Sequence, residues 1–240
     1  MIDLRRPIGR FARVGHRGAS ALAPENTLEA FALAVELGCD MLEFDVLDGA
    51  DGTLVVAHDP RRSRAPGVVS LDTALAYFVE HLPSTVLQVD LKRRGVEDGV
   101  VDALRRHGVY ERSWVSSFDA GSLRRLAQVA PDLTRSYTLP RDRLGISKRR
   151  PFAPVVRGAL SSLGASLPRR LPMLLRRSNA QAVTLHHSVA SPAVITRAHD
   201  LDAAVYVWTV DDPAHVESLV RAGADGIITN DPRVFSRLTT

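Results

Sequence analysis

The chain has 240 residues, 45% of them hydrophobic and 24% charged, with a formal charge of +4, a balance that fits a globular domain and excludes disordered, collagen-like and coiled-coil chains. No run reaches the ~18 consecutive apolar residues that a spanning helix needs. The single cysteine, Cys39, excludes an internal disulfide and a cysteine-cluster metal site. It reads as a small buried filler.

The opening segment, MIDLRRPIGRFARVG, lacks a signal-peptide apolar region, so a cytoplasmic address is the default expectation. Residues 13–16 form the first β-branched apolar run and 27–37 the first helical stretch, ending at Gly38. Strand 41–46 follows directly. Residues 51–59, DGTLVVAHD, come next with no helix between, and their Asp-Gly turn makes them the return arm of a hairpin. Helix 71–81, strand 86–91, helix 99–107, strand 114–117, helix 120–129 and strand 134–137 continue the alternation. Residues 139–179 carry Pro140, Pro151, Pro154, Pro168 and Pro172, which predicts short interrupted helices. Strand 182–186, helix 191–201, strand 204–208, helix 213–222, strand 226–229 and a short helix after Asp231 complete the chain. Eight strand and helix alternations in this length predict one TIM (β/α)8 barrel over residues 1–240, with a short hairpin extension after strand 2 and a minimal insertion. A doubly wound sheet would usually hold fewer parallel strands.

Charge is unevenly spread. Residues 143–199 hold ten Lys or Arg and no acidic residue, leaving −6 on the rest. Such segregation points to an anionic surface or partner. With one aromatic, Phe152, in that stretch, nucleic acid is not the expected partner.

In MLEFDV, Glu43 and Asp45 are two residues apart and share one face of a strand that should be buried. Buried carboxylates need compensation, either by a buried Arg or Lys or by a hard divalent cation. Asp90 in LQVDLK brings a third carboxylate to the same end of the barrel. An all-oxygen set suits Mg²⁺ or Ca²⁺ better than Zn²⁺. His16 closes the first strand and His58 the hairpin. Imidazoles beside a carboxylate cluster can exchange protons near neutral pH. Arg17 and Lys92 add fixed positive charge that either neutralises the carboxylates or holds a phosphoryl group.

The stretch GHRGASALAPENTLEAFALAVELGCDMLEFDVLDGADGTLVVAHD, residues 15–59, resembles the signature of the glycerophosphodiester phosphodiesterase family, as do VDLK at 89–92, SSFD at 116–119, VWTVDD at 207–212 and GADGIITNDP at 223–232. The resemblance spans nearly the whole chain. It implies a TIM barrel that hydrolyses glycerophosphodiesters to sn-glycerol 3-phosphate and an alcohol with one divalent cation. It implies His16 and His58 as general acid and base, Glu43 and Asp45 as metal ligands, and Arg17 as a phosphate ligand. Asp90 stands two residues before Lys92, where the family usually has Glu, one methylene longer. Trp208, at the end of the seventh strand, is implied to border the substrate alcohol together with the phosphate contacts of Arg17 and Lys92.

In PENT, Asn26 reads as the N-cap of the first helix and Glu25 as a residue that orients the site. His186 reads as a supporting residue, and the Thr229, Asn230, Asp231 run as an altered loop contact without chemical consequence. The family's recognition insertion is reduced here to residues 61–69, which opens the mouth and allows a lysophospholipid at a membrane surface as an alternative substrate. A barrel retaining only phosphate or anionic-lipid binding is the rival from another class. Partners are then a small-molecule or lysolipid phosphodiester, with residues 143–199 as a peripheral contact to an anionic membrane; the oligomeric state is open.

Overall fold

The computed structural model describes residues 2–7, 9–140 and 153–238, and of residues 153–157 the backbone alone. In chain order β1 (Ala12–His16), α1 (Leu28–Glu36), β2 (Met41–Asp48), β3 (Leu54–Val56), α2 (Leu71–His81), β4 (Val86–Leu91), α3 (Glu97–Arg106), β5 (Ser113–Ser117) and α4 (Ala120–Val129) form the first half. β6 (Arg135–Leu139), α5 (Ala153–Ser178), β7 (Ala182–His186), α6 (Pro192–His199), β8 (Ala204–Trp208), α7 (Pro213–Arg221) and β9 (Gly226–Thr229) form the second. All strands but β3 pair in parallel in the order β1-β2-β4-β5-β6-β7-β8-β9, and β9 pairs back to β1. The result is a closed eight-stranded barrel. β3 runs antiparallel on β2, with Val46 opposite Val56, as the Asp-Gly hairpin predicts.

Alternation along each strand decides what fills the barrel and what faces the helices. Outward residues such as Leu42, Phe44, Leu87 and Val89 pack under the helices, where Phe31, Phe44 and Phe78 interlock with ring centroids 5.1 to 5.9 Å apart. Inward residues Val14, Met41, Trp114, Tyr206 and Ile228 fill the lower half of the barrel. From there upward the inward positions turn polar. Apolar fill at the N-terminal half and polar side chains at the C-terminal half locate the site before any cavity is considered.

Helix starts follow side-chain capping. Thr27, Ser70, Asp119, Ser191 and Asp212 each accept from a first-turn backbone N–H. Asn26 is therefore not the cap of α1; Thr27 is. Between β3 and α2 lies only a short loop with one 3-10 turn, Arg62–Arg64, so the insertion is minimal.

One expectation fails outright. Residues 153–178 are not short interrupted helices but one helix of 26 residues with Pro168 and Pro172 inside it. Leu167, Leu171 and Leu175 recur every four residues and are buried against the second half of the barrel. That continuous stripe offsets the ~3 kcal/mol cost of each internal proline. Residues 141–152, with Pro151 and much of the basic run, lie outside the described residues. No described helix is long and apolar enough to cross a membrane.

Candidate active site

Strand register assembles the acidic cluster. Parallel pairing sets His16 beside Glu43, Glu43 beside Gln88, and Asp45 beside Asp90, so residues far apart in sequence share one level of the barrel. Glu43, Asp45 and Asp90 are buried, and one carboxylate oxygen of each lies within 4.8 Å of the others. Lys92 Nζ sits 2.6 Å from Asp45 Oδ1 and 2.5 Å from Asp90 Oδ2, and Arg17 Nε lies 3.0 Å from Asp45 Oδ2. Both sequence readings of the carboxylates thus meet in one place. Counted fully ionised, three carboxylates and two cations give the cluster a formal charge of −1.

That residual charge sits on Glu43. Its carboxylate accepts from the Arg17 backbone N–H at 3.0 Å, and the nearest cationic side-chain candidate, His16 Nε2, is 3.9 Å away. Burial, reinforced by Asp45, raises the Glu43 carboxyl well above the ordinary range. Burial also works to raise Asp45, but Lys92 and Arg17 overcome it and hold that carboxyl below its usual range. A buried, all-oxygen, net-negative cluster is the environment of a hard divalent cation, and the residues present fit one.

His16 has a fixed tautomer, which follows from its neighbours. The Asp211 carboxylate can only accept, so Asn230 turns its amide nitrogen to it, Nδ2 to Oδ2 being 2.7 Å. The Asn230 Oδ1 then faces His16 Nδ1 at 2.7 Å and also accepts from the Ser20 hydroxyl. His16 must donate from Nδ1, which leaves the Nε2 lone pair toward the carboxylate cluster. Asn230, read from sequence as a loop contact only, is instead in direct contact with His16. Burial and then Arg17 lower the His16 pKa to about 4.

His58 is half-buried beside the cluster, anchored by the bond from Ala57 N–H to the Asp45 carbonyl, and burial lowers its pKa as well. Both imidazoles are neutral at pH 7. At saturating divalent cation, the acid limb of kcat/KM is expected below the ordinary histidine range near 6.5, because the base-competent form of His16 persists down to its lowered pKa. A pH profile with its acid limb at or above 6.5 would contradict this.

The PENT segment is built into the site. Asn26 donates from Nδ2 to Asp45 Oδ2 at 2.9 Å and accepts from the Asp45 N–H at 3.3 Å. Arg17 donates from Nη1 to Glu25 at 2.7 Å, and Arg62 clamps the other Glu25 oxygen. Glu25 therefore bridges Arg17 and Arg62. Arg17 and Asn26 are both left-handed, at φ 57 and 61, a strained backbone held by these contacts. Between them Gly18 has φ +80, and a Cβ there would lie 2.5 Å from the Ala30 backbone. Only glycine fits.

Above the cluster opens a narrow cavity. His16, Arg17, His58 and Lys92 line one side, and Phe118 and Trp208, whose rings meet edge-on at 5.7 Å, form an apolar wall. His186 packs edge-on against Trp208 at 5.1 Å and supports it. Every site residue expected from sequence borders this cavity or the carboxylates beneath it. Sequence reasoning passed over Gln88 and Ser116: Gln88 Nε2 donates to the Ser116 hydroxyl at 3.1 Å, which donates to Asp90 Oδ1 at 2.6 Å. The signal was present, since Gln88 lies two residues before Asp90 and so faces inward. Cys39 is buried, with its thiol pushed up to about 12 by burial.

Comparison with known proteins agrees with this geometry. The glycerophosphoryl diester phosphodiesterase family model matches residues 16–93 and 82–234. A glycerophosphodiester phosphodiesterase of Caldanaerobacter subterraneus subsp. tengcongensis is 27% identical over 94% of this chain and 96% of its own length. Among solved structures, an Oleispira antarctica phosphodiesterase in complex with the product sn-glycerol-3-phosphate superposes with TM-score 0.72 at 19% identity, covering 94% of this chain and 95% of its own. A glycerophosphodiester phosphodiesterase from Thermotoga maritima gives TM-score 0.71 at 21% identity, covering 96% and 99%. The chain belongs to the glycerophosphoryl diester phosphodiesterase family, and it carries the family's barrel.

Proposed function

We propose that the chain hydrolyses glycerophosphodiesters to sn-glycerol 3-phosphate and an alcohol, with one Mg²⁺ or Ca²⁺ held by Glu43, Asp45 and Asp90. One observation carries this reading: a basic imidazole nitrogen, a net-negative carboxylate cluster and two cationic side chains border a single cavity at the C-terminal end of the barrel. A dication brings the cluster from −1 to +1, which a singly charged phosphodiester neutralises. When bound, the cation supplies Lewis-acid polarisation of the phosphoryl group. Arg17 and Lys92 hold the nonbridging oxygens and counter the charge that grows on them in the transition state. His16 Nε2 takes a proton from the attacking water, whose oxygen bonds to phosphorus as the bond from phosphorus to the alcohol oxygen breaks, and His58 gives a proton to the departing alkoxide. The anionic diester, seated between the two rings, raises the His58 pKa in the direction that a donor needs.

Release of sn-glycerol 3-phosphate from glycerophosphocholine tests the reading, with lysophosphatidylcholine assayed beside it. Turnover of the soluble diester supports it; turnover of the lysolipid alone supports a lipid phosphodiesterase, and binding of either without turnover supports a binding protein.

The described part of the basic run favours a peripheral membrane contact. Arg169, Arg170, Arg176 and Arg177 are exposed on α5 beside the exposed Met173, and the helix carries no acidic residue. Juxtamembrane cations contribute about 1 kcal/mol each at an anionic surface. Sedimentation with phosphatidylserine-containing vesicles is therefore expected at low salt and lost at high salt or when the four arginines are changed to Glu. Binding that ignores both changes would remove the electrostatic contact.

A further inference from the structure

Two polar atoms in the floor of the active-site cavity are unspent. Gln88 is 1% exposed and Thr138 4%, and both line the cavity. Gln88 uses its Nε2 on Ser116, yet its Oε1 has no partner among the described residues, and neither has Thr138 Oγ1. The neighbouring Ser136 and Thr184 hydroxyls satisfy one another at 2.7 Å, so neither is available to the orphan pair. A buried polar atom left unpaired is destabilising, a cost that a ligand hydroxyl removes.

The chemistry of that ligand follows from what lines the floor. A carboxamide oxygen accepts only, whereas a threonine hydroxyl donates or accepts. Neither bears charge, and the cations Arg17 and Lys92 stand at the same cavity, which disfavours a cationic headgroup there. Phe118, Trp208 and Ile228 offer apolar surface between the polar atoms. Uncharged hydroxyls on a short carbon skeleton match this set. We propose that Gln88 Oε1 and Thr138 Oγ1 form a subsite for the hydroxyls of the substrate's polyol arm, so that this arm enters the barrel and the departing alcohol faces the open mouth. The inference rests on the phosphodiesterase reading above and assigns hydroxyl recognition to the barrel strands. The subsite discriminates on the retained arm and leaves the leaving alcohol largely unread.

Thr138→Val carries the test, because its hydroxyl touches none of the three carboxylates. Wild-type and variant are assayed on glycerophosphocholine, which has a vicinal diol, and on bis(4-nitrophenyl) phosphate, which has no hydroxyl. The ratio of kcat/KM for the first substrate to that for the second is expected to fall at least about tenfold, the loss of one buried hydrogen bond. Gln88→Met also removes the bond that Gln88 donates to Ser116, whose hydroxyl holds Asp90, so it should lower both rates while moving the ratio in the same direction. Inhibition by sn-glycerol 3-phosphate should weaken relative to inhibition by inorganic phosphate in both variants. An unchanged ratio in Thr138→Val overturns the subsite and means that its hydroxyl serves only packing or a buried water. A wild-type chain with no turnover of glycerophosphocholine overturns the underlying reading instead, so the two failures are distinct.

Discussion

His58→Ala is expected to lower kcat on glycerophosphocholine by about 10³-fold, within the range for loss of a positioned proton donor. It should lower kcat far less on a 4-nitrophenyl phosphodiester, whose phenolate leaves without help. His16→Ala should lose comparably on both substrates, because the attacking water needs a base whatever departs. The asymmetry follows from the network around His16: Asp211 fixes the Asn230 amide, Asn230 fixes the Nδ1 proton, and the Nε2 lone pair is what remains. Asn230→Ala is expected to lower kcat more than it alters KM, since it frees the ring without touching the cavity. Steady-state kinetics on the two substrate types check all three variants. Full activity in both histidine variants would contradict the assignment, and an inverted leaving-group dependence would exchange the two roles.

Glu43→Gln is expected to abolish cation-dependent turnover, a loss of about 10³-fold or more, while leaving the fold as stable as before or more so. Burial and Asp45 raise the Glu43 carboxyl, so between its unfolded pKa near 4.3 and its higher folded one the native state binds the extra proton. Stability conferred by that site therefore falls as pH rises through this window, and the neutral amide removes the fall. Asp45→Asn should behave in the opposite way, because it strips Lys92 and Arg17 of the carboxylate that both face in a buried site. Thermal melts separate the cases. Wild type should gain stability on adding Mg²⁺ or Ca²⁺, by about 2.7 kcal/mol at a hundred times the dissociation constant, and Glu43→Gln should gain little. A cation-induced stabilisation of the same size in Glu43→Gln would remove that residue from the site.

Much of this architecture was legible in the order of residues. Eight β-branched runs alternating with amphipathic stretches define the barrel, and carboxylates at inward positions of strands that should be apolar mark the site, because burial without compensation is too costly. What failed has physical reasons. Pro168 and Pro172 read as breaks because proline chemistry is local, whereas the stripe of Leu167, Leu171 and Leu175 that keeps α5 whole acts through burial against distant strands. Asn26 read as a cap because Asn favours that position, yet its partner is Asp45, across the turn that Gly18 makes possible. Asn230 was read only as a loop contact because the pairing of β9 beside β1, which brings it to His16, joins residues far apart in sequence, and Thr138 gained a role only when closure of the barrel set it on the cavity wall.

The central claim is that three carboxylates on β2 and β4 hold a divalent cation without which the chain does not turn over phosphodiesters. It is tested most directly by assaying glycerophosphocholine hydrolysis before chelation, after EDTA and desalting, and during titration with Mg²⁺ or Ca²⁺. The structure predicts loss of turnover on chelation and saturable recovery with one cation bound per chain. Undiminished turnover in EDTA, with no cation bound, would contradict it.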